Sequence, residues 1–192
     1  PVRHRVTARS ADNVLVQGEG YSDRRGAVPI STLYPVFPAD PAAQALVARY
    51  AAAAAPIIAR PIGRLSGPAL KEPNDAGESA AGDLIADAFL AATRGPDTGN
   101  AQLAFTNQTS VRTDIVPAAD GTVTFGQLFA AQPFGNNLVV LTMTGRQIRA
   151  ALEQQFASGP NTVDSLILLQ PSSGFTYGYD LRRREGQRIQ DP

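Results

Sequence analysis

Two short polar stretches carry the residues with the most chemistry to offer. The first is Asn107-Gln-Thr-Ser-Val-Arg112, directly after the run Gln102-Leu-Ala-Phe-Thr106. An amide and a guanidinium at the end of a strand would present hydrogen-bonding groups to a ligand. The second is Pro133-Phe-Gly-Asn-Asn137. A phenylalanine between proline and glycine sits on a turn, where its face is open to stack on a flat ligand such as a base. The plain alternative for both stretches is a structural turn, with Phe134 folded into the core.

Other constellations are thinner. Histidine occurs once, at His4, and cysteine not at all. That removes a thiol nucleophile, a disulfide framework, a Cys-ligated zinc and a multi-His metal cage within this chain. A Ser-His-Asp arrangement would depend on His4 in an irregular N-terminal stretch, where a solvated or interdomain histidine is the commoner occurrence. Asp83 and Asp87 lie at i, i+4 on one predicted helix face, with Ser79 a turn earlier. Such a pair either binds a cation or faces solvent. The stretch from Gly63 to Gly67 lacks the lysine and the spacing of a phosphate cradle. Asn107-Gln-Thr109 fits a glycosylation sequon by pattern alone.

Charge narrows the partners. Lys plus Arg number 17 and Asp plus Glu number 17. A net charge of zero argues against a DNA or RNA duplex binder, which needs excess cation to displace counterions. No apolar run reaches the ~18 residues of a spanning helix, so no membrane span is expected.

These residues need elements to hold them. Asp40-Pro41 is a helix start, and Leu46, Tyr50 and Ala54 follow at i, i+4, i+8 with Val47 beside them. This Ala-rich helix should end or kink near Pro56. It is either a rigid spacer or an ordinary packed helix. A second helix is predicted over 78–94, with Leu84, Ala88 and Ala92 on one face, Ile85 and Phe89 beside them, and Gly95-Pro96 closing it. Thr124-Phe-Gly-Gln127 and Thr144-Gly-Arg-Gln147 each fit a capping box. The first opens a short helix through Ala131, the second a helix with Ile148, Leu152 and Phe156 at i, i+4, i+8. Strands are expected at Gln102–Asn107, at Leu138–Met143 (buried) and at Val163–Leu169. Phe175, Tyr177, Tyr179 and Leu181 alternate as on a half-buried strand. Residues 1–38 read as irregular, with short apolar runs at Val2–Ala8 and Val14–Val16 and a long loop over Gly18–Pro38. Helices and strands mix without a regular βαβ repeat, which gives an α+β or mixed α/β class.

The order ESAAGDLIADAFLAA, QLAFTNQTSVRTDI, GTVTFGQLFAAQPFGNNLVVLTMTGRQIRAALEQQF resembles the C-terminal domain of the 5′-nucleotidase family over roughly residues 39–184. That family joins an N-terminal dimetal phosphatase domain to a C-terminal nucleotide-recognition domain through a helix. The resemblance implies an α+β fold, a mixed-sheet layered α/β/β/α C-terminal domain that is incomplete at its C-terminus and preceded by a long bridging helix. Residues 1–38 would be a remnant of the metallophosphatase domain, 39–60 the bridging helix, and 61–192 the truncated C-terminal domain.

The family's Asn-Gly-Gly-Gly-Ile-Arg loop falls on NQTSVR, so Asn107 and Arg112 match its nucleotide contacts, while Gln108, Thr109 and Ser110 stand where it has glycines. Those side chains either crowd a close backbone approach or add hydrogen bonds. Pro-Phe-Gly-Asn falls on PFGN: Phe134 would be one of two rings sandwiching the base, and Asn136 would contact its edge. Some members carry Arg before the Glu of the second helix, where this chain has Gly77 before Glu78. The family's second stacking ring lies in a Gly-Gly-Asp loop that this chain does not contain. The implied role is substrate recognition for a nucleotide phosphohydrolase, with Asn107, Arg112, Phe134 and Asn136 as substrate-binding residues and no catalytic residue or metal ligand in this chain. No cofactor is implied here; two divalent metal ions belong to the N-terminal metallophosphatase domain, the partner in cis. The substrate would be a nucleoside or nucleotide. Family members are usually exported, which implies a periplasmic or extracellular location. The alternatives are a non-catalytic binding module on the same fold, or a domain serving a cyclic nucleotide or nucleotide sugar.

Overall fold

A computed structural model describes residues 21–23, 26–28, 38–156 and 167–190. The chain divides into two compact units, Pro1–Ala54 and Ala55–Pro192. Val2–Ala8 and Val14–Val16 lie outside the described residues. Within the stretch expected to be a long loop, β1 (Tyr21–Asp23) instead pairs antiparallel with β2 (Gly26–Val28). Gly26, at φ +119°, supplies the left-handed backbone at the start of β2.

Helix α1 spans Pro41–Ile58 and continues past Pro56 rather than stopping there. Its start is capped as its sequence implies: Asp40 Oδ1 accepts from the Ala43 amide at 2.8 Å. Proline removes only its own donor, and the last turn still closes through Ala59 N to Ala55 O at 2.9 Å. No residue of α1 is buried, and Leu46, Val47 and Tyr50 stand exposed.

In the second unit, β3 (Pro61–Arg64) pairs antiparallel with β5 (Thr122–Thr124), with an irregular register between Pro61 and Gly63. Helix α2 covers Ala80–Thr93; Ser79 is its N-cap, its hydroxyl accepting from Gly82 N at 3.2 Å. The buried stripe of α2 is rotated from the predicted one. Ala81, Gly82, Ile85, Ala86 and Thr93 are buried, Leu84 and Phe89 only partly so, and Ala88 and Ala92 are exposed. Gly95 keeps an extended backbone at φ −70° and opens a 3-10 turn at Pro96–Thr98, so it does not act as a left-handed helix cap.

Strand β4 (Phe105–Asn107) pairs antiparallel with β6 (Leu169–Pro171), placing Thr106 opposite Gln170 and Asn107 opposite Leu169. Both capping boxes form. Thr124 opens α3 (Phe125–Ala131) and Thr144 opens α4 (Gly145–Gln154). Leu152 and Phe156 are buried and Ile148 packs against them. Strands β7 (Gly178–Tyr179) and β8 (Ile189–Gln190) form a further antiparallel pair. Residues 163–166 of the expected Val163–Leu169 strand lie outside the described residues; β6 starts at Leu169.

Leu138–Met143 corrects the sequence reading. It forms no strand and is not buried: Val139 is 77 % and Leu141 71 % exposed. An apolar run becomes a buried strand only where a neighbour takes its backbone hydrogen bonds, and none pairs with it among the described residues. The class is α+β. One core gathers Ala69, Ala81, Ile85, Val111, Ile115, Val123 and Ala131; the other gathers Leu152, Phe156, Leu168 and Ile189, with Phe175, Tyr177, Tyr179 and Leu181 packed on it.

Candidate functional site

Strand β4 ends at Asn107, and the chain then turns tightly through a 3-10 segment at Gln108–Ser110. The side chains that replace glycine build this turn. Thr109 donates twice to Asn107 Oδ1, from its backbone N at 2.9 Å and from its hydroxyl at 2.8 Å. Ser110 Oγ donates to Asn107 O at 2.6 Å, so the Thr106 hydroxyl, 3.2 Å away, must donate to Ser110. Gln108 Oε1 is buried without a hydrogen-bond partner. Two of the three side chains therefore bond back onto their own turn and do not crowd the space outside it.

Val111 is buried in the first core and anchors the turn's far end, which leaves Arg112 exposed. The Arg112 amide donates to the carbonyl of Ala131 at 2.8 Å. Ala131 is the buried last residue of α3, two positions before Pro133. This one backbone bond ties the Asn107–Arg112 turn to the Pro133–Asn137 loop. Phe134 is 45 % exposed and does not fold into the core, and Asn107 and Asn136 are also exposed. The structure thus brings together the two loops that carry the four residues. Among the described residues no hydrogen bond joins the four side chains to one another.

The later aromatics pack against the second core. Tyr177 donates its hydroxyl to Leu169 O at 2.8 Å, and burial pushes its pKa up to about 12. Tyr179 donates to Ala76 O at 3.0 Å, and Phe175 meets Phe105 edge-on at 5.5 Å between ring centres. A cleft of about 440 Å³ lies between Gly77, Glu78, Gln170, Tyr177 and Tyr179, and none of the four candidate residues lines it.

Asp83 and Asp87 do not simply face solvent. Asp87 Oδ1 accepts from Ser173 N at 2.6 Å, and Asp83 Oδ1 is buried without a partner. Burial, then the neighbouring Glu78 and Asp87 carboxylates, push Asp83 up to about 6. Among the described residues no three of His, Cys, Asp and Glu gather to hold a metal ion. The described residues therefore do not offer the ligand set of a dimetal centre. Nor is any helix among them long and apolar enough to cross a membrane.

Sequence reading missed Gln170, which is 1 % exposed and holds the start of α2. It also missed the turn-building role of Thr109, although Asn followed two residues later by a hydroxyl side chain signals a side-chain-capped turn.

The family model for the 5′-nucleotidase, C-terminal domain matches residues 61–192. The chain belongs to this family. It is 32 % identical over 112 residues to the trifunctional nucleotide phosphoesterase protein YfkN of Bacillus subtilis, covering 58 % of this chain and 7 % of that protein. It is 34 % identical over 133 residues to the NAD 5′-nucleotidase of Haemophilus influenzae, covering 64 % of this chain and 20 % of the relative. The crystal structure of a 5′-nucleotidase precursor from Thermus thermophilus aligns with a TM-score of 0.61 at 29 % identity, over 85 % of this chain and 31 % of that one. The chain therefore spans a minor part of the length of each.

Proposed function

We propose that this chain is the substrate-recognition part of a nucleotide phosphohydrolase. Phe134 stacks on the base, Asn136 contacts the base edge, and Asn107 and Arg112 offer donors to the nucleoside. Hydrolysis belongs to a metallophosphatase domain in cis, holding two divalent metal ions, of which residues 1–38 are a remnant and which the helix over 39–60 bridges to the recognition domain. Holding the nucleoside here orients the phosphoester for that domain, and orientation lowers the barrier. The names of the nucleotidase relatives support the substrate class, and that of the precursor enzyme supports a periplasmic or extracellular location.

The observation that carries the reading is the Arg112–Ala131 backbone bond. It holds an exposed guanidinium and an exposed ring on adjoining loops, both anchored in one core. Calorimetric titration of the chain with AMP and adenosine tests it. Stacking on one ring is worth about 1–3 kcal/mol, so Phe134→Ala should weaken binding about 5- to 150-fold. Equal binding by the variant and the parent chain would favour a non-nucleotide binding module. The chain alone should release no phosphate from AMP; metal-dependent release abolished by a chelator would refute the division of labour.

A further inference from the structure

We infer that Thr109 is a positioning residue that fixes the Asn107 carboxamide as a hydrogen-bond donor, so that the site reads an acceptor atom on its ligand. The inference rests on the proposed nucleotide reading for the ligand, and on bond geometry for the positioning. A backbone N–H can only donate, so the Asn107 atom 2.9 Å from Thr109 N must be the oxygen. The Thr109 hydroxyl adds a second donor to the same oxygen at 2.8 Å. With Oδ1 held twice inside the turn, the amide nitrogen is turned away from it. Nδ2 has no hydrogen-bond partner among the described residues, and Asn107 is exposed.

Arg112, at the other end of the turn, offers only donors as well. The ligand class is therefore one that presents acceptor lone pairs to this turn, such as a ring nitrogen, a carbonyl or a phosphate oxygen. With glycine at 109 the hydroxyl bond would be absent and the carboxamide freer to turn over. The backbone bond already sets the orientation of the amide, and the threonine hydroxyl adds the second bond that holds it there.

Three variants of the full chain test this. Asn107→Asp keeps the oxygen that Thr109 bonds but replaces the donor nitrogen with an acceptor. It should leave the unfolding midpoint near the parent value and weaken AMP binding about tenfold or more, because a donor is lost and like partners are opposed. Thr109→Val removes the hydroxyl and keeps the backbone N–H; Thr109→Ser keeps both. Nitrogen relaxation of the Asn107 side-chain amide should report a rigid group in the parent and Thr109→Ser chains and a more mobile one in Thr109→Val. AMP affinity should fall about 2- to 10-fold in Thr109→Val and recover in Thr109→Ser. Equal mobility in parent and Thr109→Val overturns the positioning role, and undiminished AMP binding by Asn107→Asp overturns the donor role. If the parent chain binds no AMP, the nucleotide reading fails, and the relaxation data still decide the positioning role.

Discussion

Gln170 Oε1 accepts the backbone N–H of Ser79 at 2.6 Å, across 91 positions of sequence. The same carboxamide donates from Nε2 to Gly77 O at 2.9 Å. One buried side chain on β6 thus satisfies a donor and an acceptor at the entry to α2, where unpaired backbone groups concentrate. Replacing Gln170 with Ala should leave both groups buried and unpaired. A loss of about 2–4 kcal/mol follows. Urea unfolding followed by circular dichroism would measure it; a midpoint within error of the parent would sink the assignment.

Much of the fold was legible because its signals are local. The Thr124 and Thr144 capping boxes need only four residues each, and both formed as read. The Asn107–Arg112 and Pro133–Asn137 loops stood out by residue type. Their union did not, since the Arg112 to Ala131 bond joins backbone groups that leave no mark in sequence. Leu138–Met143 was misread because an apolar run fixes hydrophobicity but not the presence of a strand beside it. The face of α2 was misplaced because alanines at 81, 86, 88 and 92 give periodicity little contrast.

Gly77 has φ +80°, in the left-handed region that side chains disfavour. Asn74 shapes this turn, its Oδ1 accepting from Ala76 N and Glu78 N, both at 3.0 Å. Where some relatives are expected to carry arginine, this backbone opposes one. Gly77→Arg and Gly77→Ala should each cost about 1–2 kcal/mol, while Gly77→Asn should cost less because asparagine tolerates this region. Chemical denaturation of the three variants checks the order; equal stability of Ala and Asn variants would count against backbone strain.

Glu153 is buried and takes two backbone donors, Ile189 N to Oε1 at 2.7 Å and Arg188 N to Oε2 at 3.1 Å. It is the carboxylate, with two acceptor oxygens, that suits this pair. Glu153→Gln keeps the shape but turns one acceptor into a donor facing a donor. We expect a loss of about 1–3 kcal/mol, read as a lower thermal midpoint. Hydrogen exchange at the Arg188 and Ile189 amides should quicken in the variant. Unchanged exchange at both amides would mean that the carboxylate does not hold β8.

Asp83 ties stability to pH. Its folded pKa is raised from 3.8 to about 6, first by burial and then by the Glu78 and Asp87 charges. A raised folded pKa means that the folded chain binds the proton more tightly than the unfolded chain. This group's contribution is therefore fully present below about pH 3.8 and is lost as pH climbs through about 6. The whole shift would correspond to about 3 kcal/mol, and screening around a half-exposed carboxylate reduces that to about 1 kcal/mol. Asp83→Asn removes the titration while keeping the shape. The difference in thermal midpoint between parent and variant should therefore change between about pH 4 and 6, with the parent losing ground as pH rises. A difference that stays flat across that interval would show that the buried Oδ1 is relieved in solution and that Asp83 titrates as an ordinary surface carboxylate.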